Sequence, residues 1–124
     1  MEEGHQIWSV SLYYMAKRNN PISKQEQEAC RKVAERYIAE YPWGDMDDGF
    51  CIYDLNETSE ENVIFEGATK LPVNRGKARF IKVHDYWSDC LQEIIYLLPG
   101  TQWYIRIDDT DVTPYFDYPQ QKAT

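Results

Sequence analysis

Residues 85–98 read DYWSDCLQEIIYLL, and this stretch decides the class of fold. Its apolar side chains recur at spacings of three and four, the period of a helix that packs along one face. They are Trp87, Cys90, Leu91, Ile94, Ile95 and Leu98. Asp85 is a residue type that caps helix starts, and Pro99-Gly100 is a typical stop. The stretch therefore predicts an amphipathic helix that begins at Asp85 and ends before Pro99.

A second helix is predicted upstream, between Ser23 and Pro42. Ser23 and Glu26 have the spacing of a capping box, in which each side chain satisfies an exposed backbone amide of the other residue. We therefore expect the helix to begin at Lys24. Its apolar positions keep the helical spacing as far as the break at Pro42. They are Cys30, Val33, Ala34, Tyr37, Ile38 and Tyr41.

Strands are predicted where apolar and polar side chains alternate. Residues 6–15 alternate in this way, as do residues 103–107. Residues 50–55 and 62–66 are short β-rich runs joined by a polar loop, which is typical of a hairpin. A weak final strand is predicted near residues 112–118, after a turn at residues 108–111. Residues 78–83 fit either a further strand or an extended lead into the following helix.

The order strand, helix, strand, strand, helix, strand, with an extra C-terminal strand, predicts an α+β fold. It matches the ferredoxin-like split β-α-β arrangement, with two helices on one face of an antiparallel sheet. The opposite face is then open to solvent or to a partner. Its predicted side chains are Ser9, Ser11, Tyr13, Tyr104 and Arg106. A chain of 124 residues fits a single domain over residues 1–124, with a loose tail at 120–124.

Charge is segregated along a chain whose net charge is −8. Residues 40–66 contain nine acidic side chains and no lysine or arginine: Glu40, Asp45, Asp47, Asp48, Asp54, Glu57, Glu60, Glu61 and Glu66. The following stretch reverses the sign with Lys70, Arg75, Lys77, Arg79 and Lys82. Segregated charge favours recognition of an oppositely charged partner, because it steers encounter and rejects wrong surfaces.

No motif indicates catalysis, a cofactor or a metal. Residues 45–56 fail as a calcium loop, since the sixth position is Phe50 rather than glycine and the twelfth is Asn56 rather than glutamate. His84 and Cys90 are candidates for a base and a nucleophile, but Cys90 lies on an apolar stripe where thiols usually pack. The basic stretch favours binding of nucleic acid, but the net negative charge of the chain opposes binding to a polyanion. We therefore expect no enzyme, no cofactor and no direct nucleic-acid contact.

Residues 1–20 have no basic cap followed by a long apolar run, and no window reaches the length of a membrane span. We therefore expect a cytoplasmic protein that makes no membrane contact. The three cysteines are an odd number with no metal-site spacing, so free thiols are expected.

The acidic residues are interleaved with aromatic ones, a combination that suits a protein-binding surface. The predicted contacts are Trp43, Asp45, Asp47, Asp48, Tyr53, Glu57, Glu60, Glu61, Asp108, Asp109 and Asp111. Carboxylates placed in this way could mimic phosphates and occlude the cationic cleft of a basic partner, such as a toxin or a nucleic-acid-acting enzyme. In size, acidity and lack of catalytic motifs the chain resembles bacterial immunity proteins that neutralise a cognate toxin, and phage-encoded inhibitors of nucleases. This likeness is of general character, and no functional residue is carried over from it.

Three other interpretations stay open. The acidic block could be solubilising surface alone. A structural or assembly subunit could self-associate by placing the acidic block against the basic stretch of a neighbouring copy. An enzyme of unknown reaction would need a deep pocket that holds His84 beside perturbed carboxylates.

Overall fold

The computed structural model of the protein describes residues 9–43, 49–54, 62–73 and 75–119. Its elements are β1 (Ser9–Lys17), α1 (Lys24–Glu40), β2 (Phe50–Ile52), β3 (Val63–Pro72), α2 (Lys77–Leu97), β4 (Gln102–Ile107) and β5 (Thr110–Asp111). A short 3-10 turn, Thr113–Tyr115, follows β5. The strands form one antiparallel sheet of five strands in the order β2-β3-β1-β4-β5. The predicted α+β class is confirmed.

Helix α1 begins at Lys24, as its capping box predicts. The Ser23 hydroxyl oxygen accepts a hydrogen bond from the Glu26 backbone N–H at 3.0 Å. In return, the Ser23 backbone N–H donates to the Glu26 carboxylate at 2.9 Å. The two bonds satisfy backbone donors that a helix start leaves without partners.

Replacing Ser23 with alanine removes one of these bonds, so we expect the free energy of unfolding to fall by about 1 kcal/mol. Urea unfolding followed by tryptophan fluorescence measures the change. Aspartate at the same position can accept the same bond, and Ser23→Asp is therefore expected to stay close to the wild type. Equal losses in the two variants would show that the cap does not stabilise the helix.

Helix α2 begins at Lys77, two turns earlier than predicted, and the prediction that Asp85 caps it is wrong. The N-cap is Gly76, whose φ of 94° is a conformation that glycine adopts at little cost. Phe80 and Val83 continue the apolar stripe back towards this start, so residues 78–83 are helical. The first turns of α2 carry the cations Lys77 and Arg79, which interact unfavourably with the positive end of the helix dipole. The sequence there therefore lacks the acidic residues typical of a helix start.

The other departures concern strand ends. Strand β3 continues to Pro72, beyond the predicted end at residue 66, and β1 reaches Lys17. The extra C-terminal strand is present as β5, but its predicted position at residues 112–118 is wrong: β5 is the two-residue strand Thr110–Asp111, and a 3-10 turn follows it. There the Thr113 hydroxyl replaces a strand neighbour: it accepts from the Ile105 N–H at 2.8 Å and donates to the Ile105 carbonyl at 3.1 Å.

The pleat of the sheet separates a buried face from an open one. Leu12, Tyr14 and Ala16 of β1 are buried, as are Trp103 and Ile105 of β4. These side chains share one core with the buried residues of both helices, which therefore cover this face: Cys30, Ala34, Val83, Trp87, Cys90, Leu91, Ile94 and Ile95. No helix within the described ranges has the length and apolar character that crossing a bilayer requires.

Candidate functional site

The face of the sheet turned away from the helices carries a shallow depression of about 480 Å³. Its floor is built from β1, the central strand of the sheet, and from its neighbour β4. Tyr13 lies opposite Arg106 in the β1–β4 ladder, and Met15 lies opposite Tyr104. All four side chains alternate with buried neighbours and therefore project from the open face. We call this feature the open-face depression.

Acidic residues border the open-face depression on two sides. On one side Glu66 of β3 lies opposite Met15, beside Tyr53, whose backbone N–H donates to the Glu66 carbonyl at 2.8 Å. On the other side are Asp109 and Asp111, in and after the turn that joins β4 to β5. An aromatic floor therefore lies between two acidic rims.

Two cations of the chain rest on the tyrosine rings of this face. The Arg106 guanidinium carbon lies 4.1 Å from the centre of the Tyr13 ring, and the Lys17 ammonium lies 5.9 Å from the centre of the Tyr104 ring. Arg106 also donates to the Asp108 carbonyl oxygen at 2.5 Å. Cation–π contacts of this kind restrict the rings before any partner arrives, which lowers the entropy cost of binding.

The acidic turn is fixed by its own hydrogen bonds. The Asp108 N–H donates to the Ser11 carbonyl at 2.9 Å, and its carboxylate accepts from the Ser11 N–H at 3.1 Å, so Asp108 attaches the turn to β1. Hydrogen bonds from Thr113 lower the pKa of the Asp111 carboxyl below its usual range. Asp111 is therefore fully charged near neutral pH. The exposed Asp109 lies between these two anchored residues.

The structure brings together only part of the predicted contact set. Tyr53, Asp109 and Asp111 meet at the open-face depression. Trp43 does not: it packs in the helical layer, with its ring centre 5.7 Å from that of Tyr86 of α2. Six predicted contacts lie outside the described residues: Asp45, Asp47, Asp48, Glu57, Glu60 and Glu61.

Met15 and Glu66 were missing from the predicted contacts. Met15 continues the alternation of residues 6–15, and extending that pattern along the strand would have placed it beside Tyr13. Glu66 was recognised as part of the acidic stretch. Its position opposite Met15 depends on the pairing register of β1 with β3, which the sequence does not display.

The cysteine considered as a nucleophile packs in the core. Cys90 is fully buried, and burial raises the pKa of its thiol well above the usual range. Burial likewise raises the pKa of Cys30 to about 12, so both thiols stay protonated and pack as apolar groups. His84 Nδ1 lies 3.0 Å from the Asp85 carboxylate. Among the residues that the structure describes, no cluster of His, Cys, Asp and Glu is placed to hold a metal ion.

A comparison of the chain with protein-family models, with curated proteins and with solved structures found no match. Its function is therefore inferred from the chemistry of the surface itself.

Proposed function

We propose that this protein is a small acidic binding protein that inhibits a basic partner protein, such as a toxin or a nucleic-acid-acting enzyme, by occluding its cationic cleft. One observation carries the proposal: the open-face depression combines a floor of Tyr13, Met15 and Tyr104 with acidic rims. Tyrosine, methionine and arginine are the residue types enriched at protein interfaces, where aromatic anchors dominate the binding energy.

Charge supports a cationic partner. The whole chain carries a net charge of −8, while acidic and basic side chains are nearly equal in number over the described residues. The excess negative charge therefore comes mostly from other segments, two of which flank residues 49–54 in sequence. The electrostatic field of a net negative charge accelerates the approach of a cationic surface. Carboxylates can then occupy positions on that surface that phosphates would otherwise take. Inhibition of this kind needs no chemistry from the inhibitor.

The fold proposed for this role is the ferredoxin-like split β-α-β arrangement. Support comes from the order β2-β3-β1-β4 within the sheet, from the helices that follow β1 and β3, and from the antiparallel pairing of all neighbours. A sheet covered by helices on one face leaves the other face free for a partner. The general likeness to immunity proteins and nuclease inhibitors, in size, acidity and lack of catalytic motifs, agrees with the binding role and not with any particular fold.

Reversing two rim charges, Glu66→Lys with Asp109→Lys, is expected to weaken partner binding at low salt by at least about tenfold. Most of the loss should fall on the association rate, because these carboxylates act by steering. The partner is first captured from the source cells at low salt and eluted with a salt gradient. Binding kinetics and inhibition of the purified partner's own activity are then measured.

The matched control is Asp89→Lys with Asp117→Lys, which changes the net charge equally at exposed positions away from the open-face depression. It should keep the wild-type affinity within about twofold. If both double variants lost affinity equally, the effect would come from overall charge and the surface assignment would be wrong. A captured partner whose activity the protein leaves unchanged would contradict the inhibitory role.

The alternative is a self-associating subunit. It is favoured by the exposed Lys77 and Lys82 at the start of α2, since cations in the helical layer and acids on the opposite face could join successive copies head to tail. Light scattering of the pure protein across a salt series separates the two functions. Assembly through opposite charges should dissociate as salt rises with no partner present.

A further inference from the structure

We infer that the occupant of the open-face depression is a basic amphipathic helix of the partner protein. The inference rests on the proposed binding function and narrows it to one kind of partner element. Its apolar stripe would contact Tyr13, Met15 and Tyr104. Lysine or arginine side chains on its two flanks would reach Glu66 on one rim and Asp109 and Asp111 on the other.

The width of the depression fits a helix. Glu66 lies on β3 and Asp111 on β5, with β1 and β4 between them. Three inter-strand spacings of about 4.8 Å place the two rims about 14 Å apart. An α-helix with its side chains is about 10–12 Å across, so charged side chains on both flanks can reach the carboxylates. An extended strand projects its side chains in only two opposite directions, so it cannot direct apolar groups at the floor and cations at both rims at once.

The charges of the floor and rims fit the same occupant. Two cations lie over tyrosine rings of the floor: Arg106 over Tyr13, next to Asp111 in the β4–β5 ladder, and Lys17 over Tyr104. The three carboxylates on the rims outnumber these two cations, so the surface favours a helix with an apolar centre and cationic flanks.

A sheet can also bind a peptide by adding it as a further strand at an edge. At the outer edge of β4, this mode of binding is blocked. The outer edge of β4 is covered at Ile105 by the segment after β5, since the Val112 N–H donates to the Ile105 carbonyl at 2.9 Å. The Thr113 hydroxyl occupies the neighbouring position on the same edge. Backbone groups used in this way cannot pair with an incoming strand.

Three synthetic peptides of about 18 residues, long enough for five helical turns, test the inference. The first contains leucine and lysine in helical periodicity, the second has the same composition in strict alternation, and the third replaces lysine with glutamate in the helical order. Binding to the full chain is measured by fluorescence anisotropy. Amide chemical shifts of the labelled protein locate the site.

The helical lysine peptide should shift the amide signals of Tyr13, Met15 and Tyr104. Its affinity should fall by at least about tenfold in Glu66→Lys with Asp109→Lys, and by less than about twofold in Asp89→Lys with Asp117→Lys. The glutamate peptide should not bind the wild type but should gain affinity for the first of these variants, a charge swap that a misfolded variant could not produce.

Tighter binding of the alternating peptide at the same amides would overturn the inference in favour of an extended occupant. If the shifted amide signals instead belonged to residues of α1 and α2, the open-face depression would not be the binding site. These failures differ from failure of the proposed function. If no peptide binds but the cellular partner still depends on Glu66 and Asp109, the helical occupant is wrong and the binding function stands. If that partner is also indifferent to the two residues, the proposed function is wrong.

Discussion

Replacing Gly67 with alanine is expected to lower the free energy of unfolding by about 3 kcal/mol or more, which is large for the addition of one methyl group. A Cβ atom at Gly67 would lie 2.0 Å from the Cys51 carbonyl oxygen and 2.5 Å from a ring carbon of Tyr14. The first of these is a backbone atom in a neighbouring strand, so no side-chain rotation relieves the clash. Strand β2 would have to move.

The close approach at Gly67 has a structural reason. Gly67 and Tyr14 are register partners in the β1–β3 ladder. The Tyr14 side chain extends across β3, where its hydroxyl donates to the Cys51 carbonyl of β2 at 2.8 Å and also lies 2.8 Å from the Thr69 hydroxyl. Its ring stacks on Phe50 with centres 4.6 Å apart. Burial raises the pKa of Tyr14 well above its usual range, so the phenol stays protonated and attaches the short edge strand to the core.

Urea unfolding followed by tryptophan fluorescence measures the loss in Gly67→Ala. The matched control is Ala68→Gly, which removes a methyl group at the next position of the same strand and should cost about 1 kcal/mol or less. Hydrogen exchange should also show that β2 loses protection before the rest of the sheet. A Gly67→Ala protein within about 1 kcal/mol of the wild type would show that β2 adjusts without cost.

Local signals in the sequence predicted those parts of the fold that local chemistry controls. The Ser23–Glu26 capping box sets the start of α1, and alternation along residues 6–15 places Leu12 and Tyr14 in the core. The start of α2 depends instead on Gly76, which adopts a positive φ that no periodicity reveals. The short β5 depends on a side chain, Thr113, that binds the β4 backbone in place of a strand.

The candidate site was predictable only where one strand supplied it. Tyr13, Tyr104 and Arg106 were expected on the open face because each alternates with buried neighbours in its own strand. The combination of Glu66 with Met15 requires the register between strands, which is set by packing distant in sequence. Trp43 was grouped with Tyr53 through their shared acidic neighbourhood, yet the fold places Trp43 against Tyr86 in the helical layer. Proximity in sequence is a poor guide to which face a residue reaches.

The second large effect is expected at Arg18, which joins three segments of the chain. Its guanidinium donates to the Asn20 and Pro21 carbonyls, both at 3.1 Å, before α1, and to the Pro99 carbonyl at 3.3 Å, in the turn between α2 and β4. It also holds both oxygens of the Glu26 carboxylate, at 2.7 and 3.1 Å. The Arg18 side chain is only 11% exposed. Arg18→Ala should therefore cost about 3 kcal/mol at neutral pH, because it takes the guanidinium away from a partly buried carboxylate and from three carbonyl groups. The Glu26 carboxylate would keep its bond from the Ser23 N–H.

The pH dependence of the free energy of unfolding separates the contribution of the Arg18–Glu26 ion pair from that of the carbonyl hydrogen bonds. The hydrogen bonds with Arg18 are the main cause that lowers the pKa of Glu26 to about 2. A depressed carboxyl pKa stabilises the fold above the unfolded value of about 4.3, and this stability is lost as pH falls towards 2. The gap between wild type and Arg18→Ala should thus narrow over that range, leaving the part due to the carbonyl bonds.

Urea unfolding at a series of pH values measures this gap. Arg18→Lys should recover part of the stability, since an ammonium keeps the charge but not the bidentate geometry. Glu35→Gln, at an exposed pair with Arg31, is the control and should cost well under about 1 kcal/mol at any pH. A gap that stays constant from neutral pH to pH 2 would show that the Glu26 carboxylate contributes nothing, and that Arg18 acts only through the three carbonyl groups it joins.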